Sequence, residues 1–128
     1  MESPFSQVHA VKKGWGRERW LFNTDRLCVK ELIVYPGKSC SMHFHKEKQE
    51  VFYIIKGRIN IEMIDTATAL RMTYMLIEGD SLIINPLTPH RIFCDDSSPT
   101  IILESSTHHE DSDSYRVAAG DSQNEPKS

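Results

Sequence analysis

The chain has 128 residues, 39% of them apolar and 26% charged, with a net charge of −3. That length suits one hydrophobic core and not two. The balance excludes a disordered chain and any general cationic field for nucleic acid, and the absence of 18 consecutive apolar residues argues against a membrane-spanning helix. Three cysteines, Cys28, Cys40 and Cys94, are odd in number and far apart. They suggest neither a disulfide framework nor a cysteine-based zinc site, and read as reduced thiols, small buried hydrophobes in a cytoplasmic protein.

From residue 26 to residue 107 the chain reads as short strands divided by turn residues, with no sustained helical period. In order the predicted strands are "RLCVKELIVY", "SMHFH", "EVFYIIK", "RINIEMID", "RMTYMLIE", "DSLIIN", "RIFC" and "TIILESS". Gly and Pro punctuate them at Pro36-Gly37, Gly57, Gly79, Pro86, Pro89 and Pro99. Eight strands in about 80 residues must protect their edges, and a jelly-roll or barrel-like sandwich does so by closing or doubling the sheet. Residues 1–13 are expected as an N-terminal arm, 14–117 as the domain and 118–128 as a flexible C-terminal tail. Phe5, Trp15, Trp20 and Phe22 offer apolar material either for capping the chain's own barrel or for a homodimer interface.

Within "GKSCSMHFHKEKQEVFYIIKG", residues 37–57, His43 and His45 are two apart and so project to one face of a strand. After a turn at 46–49 the next strand begins at Glu50, whose carboxylate returns to the same place in a hairpin, with Phe52 and Ile54 continuing that face into the core. His90 follows the stiff turn "NPLTP" and is the natural fourth ligand. Three imidazoles and a carboxylate suit one divalent transition metal ion, Zn, Mn, Fe, Ni or Co, with a position left for water or substrate. An H-x-H pair alone fits two solvated histidines equally well. The whole spacing is more specific: G-x5-H-x-H-x4-E-x6-G, then after 21 residues G-x10-H.

This spacing resembles the two-motif signature of the cupin superfamily, which implies an all-β fold, the cupin double-stranded β-helix, with His43, His45, Glu50 and His90 as metal ligands. Three positions of the second motif depart from the pattern: Asn85 stands where proline is usual, Leu87 where glycine is usual, and Cys94 replaces a later asparagine. Further segments, "GWGRE", "CVKELIVYPGKSCSMHFH", "KQEVFYIIKG" and "ESSTHHEDSDSYRV", resemble the isomerase domain of type II mannose-6-phosphate isomerases. By that resemblance Lys30 matches the lysine of a "VK" strand, Lys48 replaces an arginine, and Arg116 closes an acidic D-x-x-R segment.

The resemblance implies a metal-dependent enzyme that isomerises a sugar or sugar phosphate, aldose to ketose, with Lys30, Lys48 and Arg116 facing the substrate. Such a reaction needs a base to move a proton between neighbouring carbons. Glu104 is the candidate, the alternative being that it pairs with Lys30 or Arg116 inside the barrel. His108 and His109 read as solvated residues of an acidic loop, the alternative being that the loop closes over the cavity. His43 departs from the isomerase branch, where glutamine is common, so two other readings stay open: a mononuclear iron or nickel dioxygenase, and a non-catalytic carbohydrate-binding or sensor protein. The expected partner is a small-molecule sugar or sugar phosphate, with no nucleic acid and no membrane.

Overall fold

The structure is a computed structural model and describes residues 3–124. In chain order the strands are β1 (His9–Lys13), β2 (Gly16–Asn23), β3 (Cys28–Val34), β4 (Met42–Phe44), β5 (Glu50–Lys56), β6 (Arg58–Ile64), β7 (Arg71–Ile77), β8 (Ser81–Ile84), β9 (His90–Phe93), β10 (Thr100–Ser106) and β11 (Tyr115–Ala118), with one 3-10 turn at Asp111–Asp113. They form two antiparallel sheets: six strands in the order β1-β2-β3-β10-β5-β8, and five in the order β11-β4-β9-β6-β7. The all-β sandwich expected from the strand count is the fold observed. Among the described residues no helix is long and apolar enough to cross a membrane.

Alternation places the core. On β5, Glu50, Phe52 and Ile54 are buried while Tyr53 and Ile55 are exposed, so one face looks inward, as the period of two requires. On β10 the inward set is Thr100, Ile102 and Glu104, and on β3 it is Cys28, Lys30, Leu32 and Val34. Ile54 faces Ile102 across the β5–β10 ladder, and Ile59, Ile61 and Ile92 meet them from the other sheet. The apolar residues thus fill one end of the space between the sheets. Inward-facing Lys30, Glu50 and Glu104 gather at the other end.

Both termini contribute more than expected. From His9 the arm becomes β1, which pairs along its whole length with β2. "HAVKK" lacks a clean alternation, so only the partner strand defines it. The segment after β11 packs back through residue 124 instead of trailing as a tail. Asp121 Oδ2 accepts from the Ser39 amide at 2.6 Å, and Ser122 Oγ from the Gly14 amide at 2.9 Å. Backbone packs on backbone there: a Cβ on Gly14 would lie 2.4 Å from the Asp121 carbonyl oxygen, and one on Gly120 2.3 Å from the Cys40 carbonyl carbon. The expected tail's last four residues, 125–128, lie outside the described residues, as do Met1 and Glu2 of the arm. Of the aromatics near the N-terminus, Trp15 is buried in the core, whereas Phe5 and Phe22 are exposed.

All three cysteines are free and buried. Burial raises the Cys28 thiol and pushes Cys40 up to about 12, leaving roughly one part in ten thousand of Cys40 as thiolate at pH 8. A thiol reagent at pH 8 is therefore expected to titrate no cysteine in the folded protein and all three in guanidinium. Rapid labelling of one thiol under native conditions would show that its pocket opens.

Candidate metal centre

The site straddles the two sheets. His43 on β4 and His90 at the start of β9 are direct partners across the five-stranded sheet, with ring centroids 4.5 Å apart. Glu50 opens β5 in the six-stranded sheet, while His45 and Lys48 both lie in the short link from β4 to β5. The expected hairpin does not form: β4 pairs with β9 and β11 and β5 with β8 and β10, so the link crosses from one sheet to the other, and the Pro86–Pro89 turn delivers His90 beside His43. Leu87 in that turn has φ +66°, a left-handed conformation that favours glycine. Its amide donates to the His45 carbonyl at 2.7 Å. The turn geometry is kept without the glycine.

Each histidine is held in one tautomer. The Nδ1–H of His43 donates to the Ser41 carbonyl at 2.8 Å, that of His45 to the Asp113 carbonyl at 2.9 Å, and that of His90 to the Thr88 carbonyl at 2.9 Å. A carbonyl only accepts, so each Nδ1 carries a proton, and whenever the ring is neutral it is Nε2 that offers the lone pair. One ring nitrogen from each of the three lies within 4.8 Å of the others, which is a group able to hold a metal ion. Glu50 reaches two of them, its Oε1 3.4 Å from His45 Nε2 and its Oε2 3.1 Å from His90 Nε2. His90 Nε2 and Glu50 Oε2 are both buried and lack a hydrogen-bond partner despite this proximity. Orphaned buried polar atoms are costly, and two converging on one point fit a shared cation, whose ligands at about 2.0–2.1 Å stand roughly 3 Å apart.

Charge in the site is concentrated on Lys48. Its buried ammonium lies 3.0 Å from Glu104 Oε2, 3.1 Å from Glu50 Oε1 and 3.0 Å from His109 Nδ1. Glu104 thus pairs with Lys48, and neither with Lys30 nor with Arg116 as the sequence alternative had it. Burial raises the Glu104 carboxyl, reinforced by Glu50, and Lys48 only partly offsets this. At Glu50 burial works the same way, but the polar contacts of His45 and His90 and the charge of Lys48 outweigh it and hold the group well below the usual carboxylate range. Burial would depress Lys48, yet the two carboxylates raise it. Burial and then repulsion from His90 lower His43 to about 3, so it stays neutral and free to ligate.

Lys30 is buried, 3.6 Å from Glu18 and 3.8 Å from the centre of the Trp20 ring. Arg116 lies on β11 opposite His43. These two line, with Lys48, Glu104 and the three histidines, a single cavity of about 400 Å³, within the range of small-molecule sites. His109, expected as a solvated loop residue, lines the cavity instead, and Asp113 was not singled out in the sequence. His109 accepts from Lys48 and donates through Nε2 to Asp111 at 2.9 Å. Nothing in an acidic loop marks either residue, because their partners are about 60 residues away in the chain.

Two antiparallel sheets around an inward cluster of three histidines and a glutamate define the class: a β-sandwich with a metal-site geometry at one end. The chain belongs to the cupin family, whose "Cupin domain" model matches residues 30–106. It is 32% identical over 78 residues to a mannose-1-phosphate guanylyltransferase of Sinorhizobium fredii, a match covering 61% of this chain and 14% of that protein. Over 43 residues it is 42% identical to a D-lyxose/D-mannose isomerase of Thermosediminibacter oceani, covering 29% of this chain and 24% of that one. The chain therefore matches only a small part of these relatives. The fold is shared with the capsular polysaccharide assembling protein CapF from Staphylococcus aureus, at TM-score 0.80 and 18% identity, covering 89% of this chain and 33% of that one. Oxalate decarboxylase from Bacillus subtilis shares it at TM-score 0.78 and 19% identity, covering 88% and 31%.

Proposed function

We propose that this chain is a metal-dependent isomerase that interconverts an aldose and a ketose, acting on a sugar or sugar phosphate. His43, His45, Glu50 and His90 hold one divalent transition metal ion in this reading. When bound, the ion polarises carbonyl and hydroxyl oxygens of the sugar. Glu104 moves the proton between the adjacent carbons, and Lys48 stabilises the negative charge that develops beside it. Lys30 and Arg116 orient the rest of the substrate. A homodimer belongs to the same proposal, with exposed Phe5 and Phe22 as the surface a second copy would cover.

The observation that carries the reading is Glu104: a buried carboxyl with a raised pKa, bridged by Lys48 to Glu50 in the cavity that also holds the three histidines. Burial moves the Glu104 carboxyl upward, the direction that favours acid–base work by a carboxyl. Relatives named for mannose 1-phosphate and for D-lyxose and D-mannose support a sugar as the substrate class.

The test is a panel of aldoses and aldose phosphates with the metal-saturated protein, read as ketose formed and oxygen consumed. Ketose without oxygen uptake is expected, and Glu104→Gln should lower kcat about 100-fold or more with metal content unchanged. No turnover across the panel would count against the isomerase. Oxygen uptake would instead indicate a dioxygenase, and a sugar-dependent rise in Tm with neither activity would indicate a binding protein.

A further inference from the structure

We infer that Asp113 is a positioning residue for the metal centre, clamping the β4–β5 link so that His45 and Glu50 face one ion. The 3-10 turn places Asp113 against that link, 65 to 68 residues away in the chain. One carboxylate accepts three successive amides: Oδ1 from Lys46 at 2.9 Å and from Glu47 at 3.2 Å, and Oδ2 from Glu47 at 3.2 Å and from Lys48 at 3.1 Å. The carbonyl of the same residue accepts the Nδ1–H of His45. Asp113 therefore sets the path of the chain between His45 and Glu50 and also the tautomer of His45.

The physical reason for a separate clamp is the composition of the link. "KEKQ" has no glycine or proline to bias it toward one turn, and three of its residues, Lys46, Glu47 and Gln49, are exposed. Three amides pointing the same way need an acceptor, and a carboxylate binding several of them gives charge-assisted hydrogen bonds, stronger than neutral ones. The other end of the 107–114 segment is tied down independently. Asn23 Nδ2 donates to the His109 carbonyl, the His109 amide donates to Asn23 Oδ1, and His108 Nδ1 donates to the Thr24 carbonyl. The clamp is thus anchored to the β2–β3 turn, and loosening it releases the link without removing a ligand.

This inference rests on the metal-site reading, and the two fail differently. Zn(II) affinity is measured by chelator competition on the full chain, together with amide hydrogen exchange at Lys46, Glu47 and Lys48 in the metal-free protein. Asp113→Ala should lose protection at those three amides and bind Zn(II) about 10- to 100-fold more weakly, the range typical of groups that orient metal ligands. Asp113→Asn, which keeps an acceptor oxygen, should fall between and carries the test if the alanine variant does not fold. Glu110→Gln, in the same segment but not on the link, should match wild type. Unchanged affinity, or weakened affinity with wild-type protection at 46–48, would overturn the inference. If the wild type binds no Zn(II), the metal-site reading fails, and full protection at those amides without Asp113 would still refute the clamp.

Discussion

Replacing His90 by alanine is expected to abolish metal binding, taking the metal content of the purified protein from about one ion per chain to background. His90 is almost fully buried, its Nδ1 is committed to the Thr88 carbonyl, and its Nε2 has no use in the fold except beside Glu50 Oε2. Loss of one ligand from a set of four costs more than the 10- to 100-fold expected for a supporting group. Saturating metal should raise the Tm of the wild type, as any ligand bound only by the native state does, by about 2.7 kcal/mol of stability at 100 times Kd. The Tm of His90→Ala should not respond. His43→Ala and Glu50→Ala are expected to behave alike under elemental analysis. Wild-type metal content in any one variant would remove that residue from the ligand set.

Lys48→Met is expected to be the most destabilising of the conservative-volume changes in the cavity. It leaves Glu50 and Glu104 as buried carboxylates without their shared cation, and breaking a buried pair in this way costs about 3–5 kcal/mol. That corresponds to a fall in Tm on the order of 10 °C or more. The double variant Lys48→Met/Glu104→Gln should recover much of the loss, because one of the two stranded charges is gone. The single variant should also be less impaired at pH 5 than at pH 8. Glu104 already has its pKa raised above the unfolded value of about 4.3, and losing Lys48 raises it further. Between those two pKa values the folded chain binds a proton that the unfolded chain lacks, so stability falls as pH rises through the window. Denaturation in urea at the two pH values measures this, and equal losses would show that Glu104 reaches solvent or another cation.

Both predictions concern groups that sequence reading located with unequal success. The place of His90 beside His43 was legible because a histidine after a Pro-bounded turn sits at a fixed interval from the first motif. Lys48 was legible as a cation of the site, and its role as the hub of two carboxylates and a histidine was not. Sequence spacing orders residues along a strand, whereas the pairing of Lys48 with Glu104 joins positions 56 residues apart. The two are neighbours only because β10 lies beside β5.

By itself the sequence determined what depends on local period and punctuation. Eight strands between residues 26 and 107 and the inward face of β5 follow from alternation and from turns at Gly and Pro. Tertiary structure alone decided what depends on which distant segment arrives. β1 became a strand because β2 offered it a ladder, and residues 119–124 became ordered because Gly14 and Gly120 let backbones touch. Asp113 came to hold three amides of a link it follows by 65 residues. Such contacts form when two sheets close over one another, and the energy of burying polar groups with partners, not any pattern along the chain, selects them.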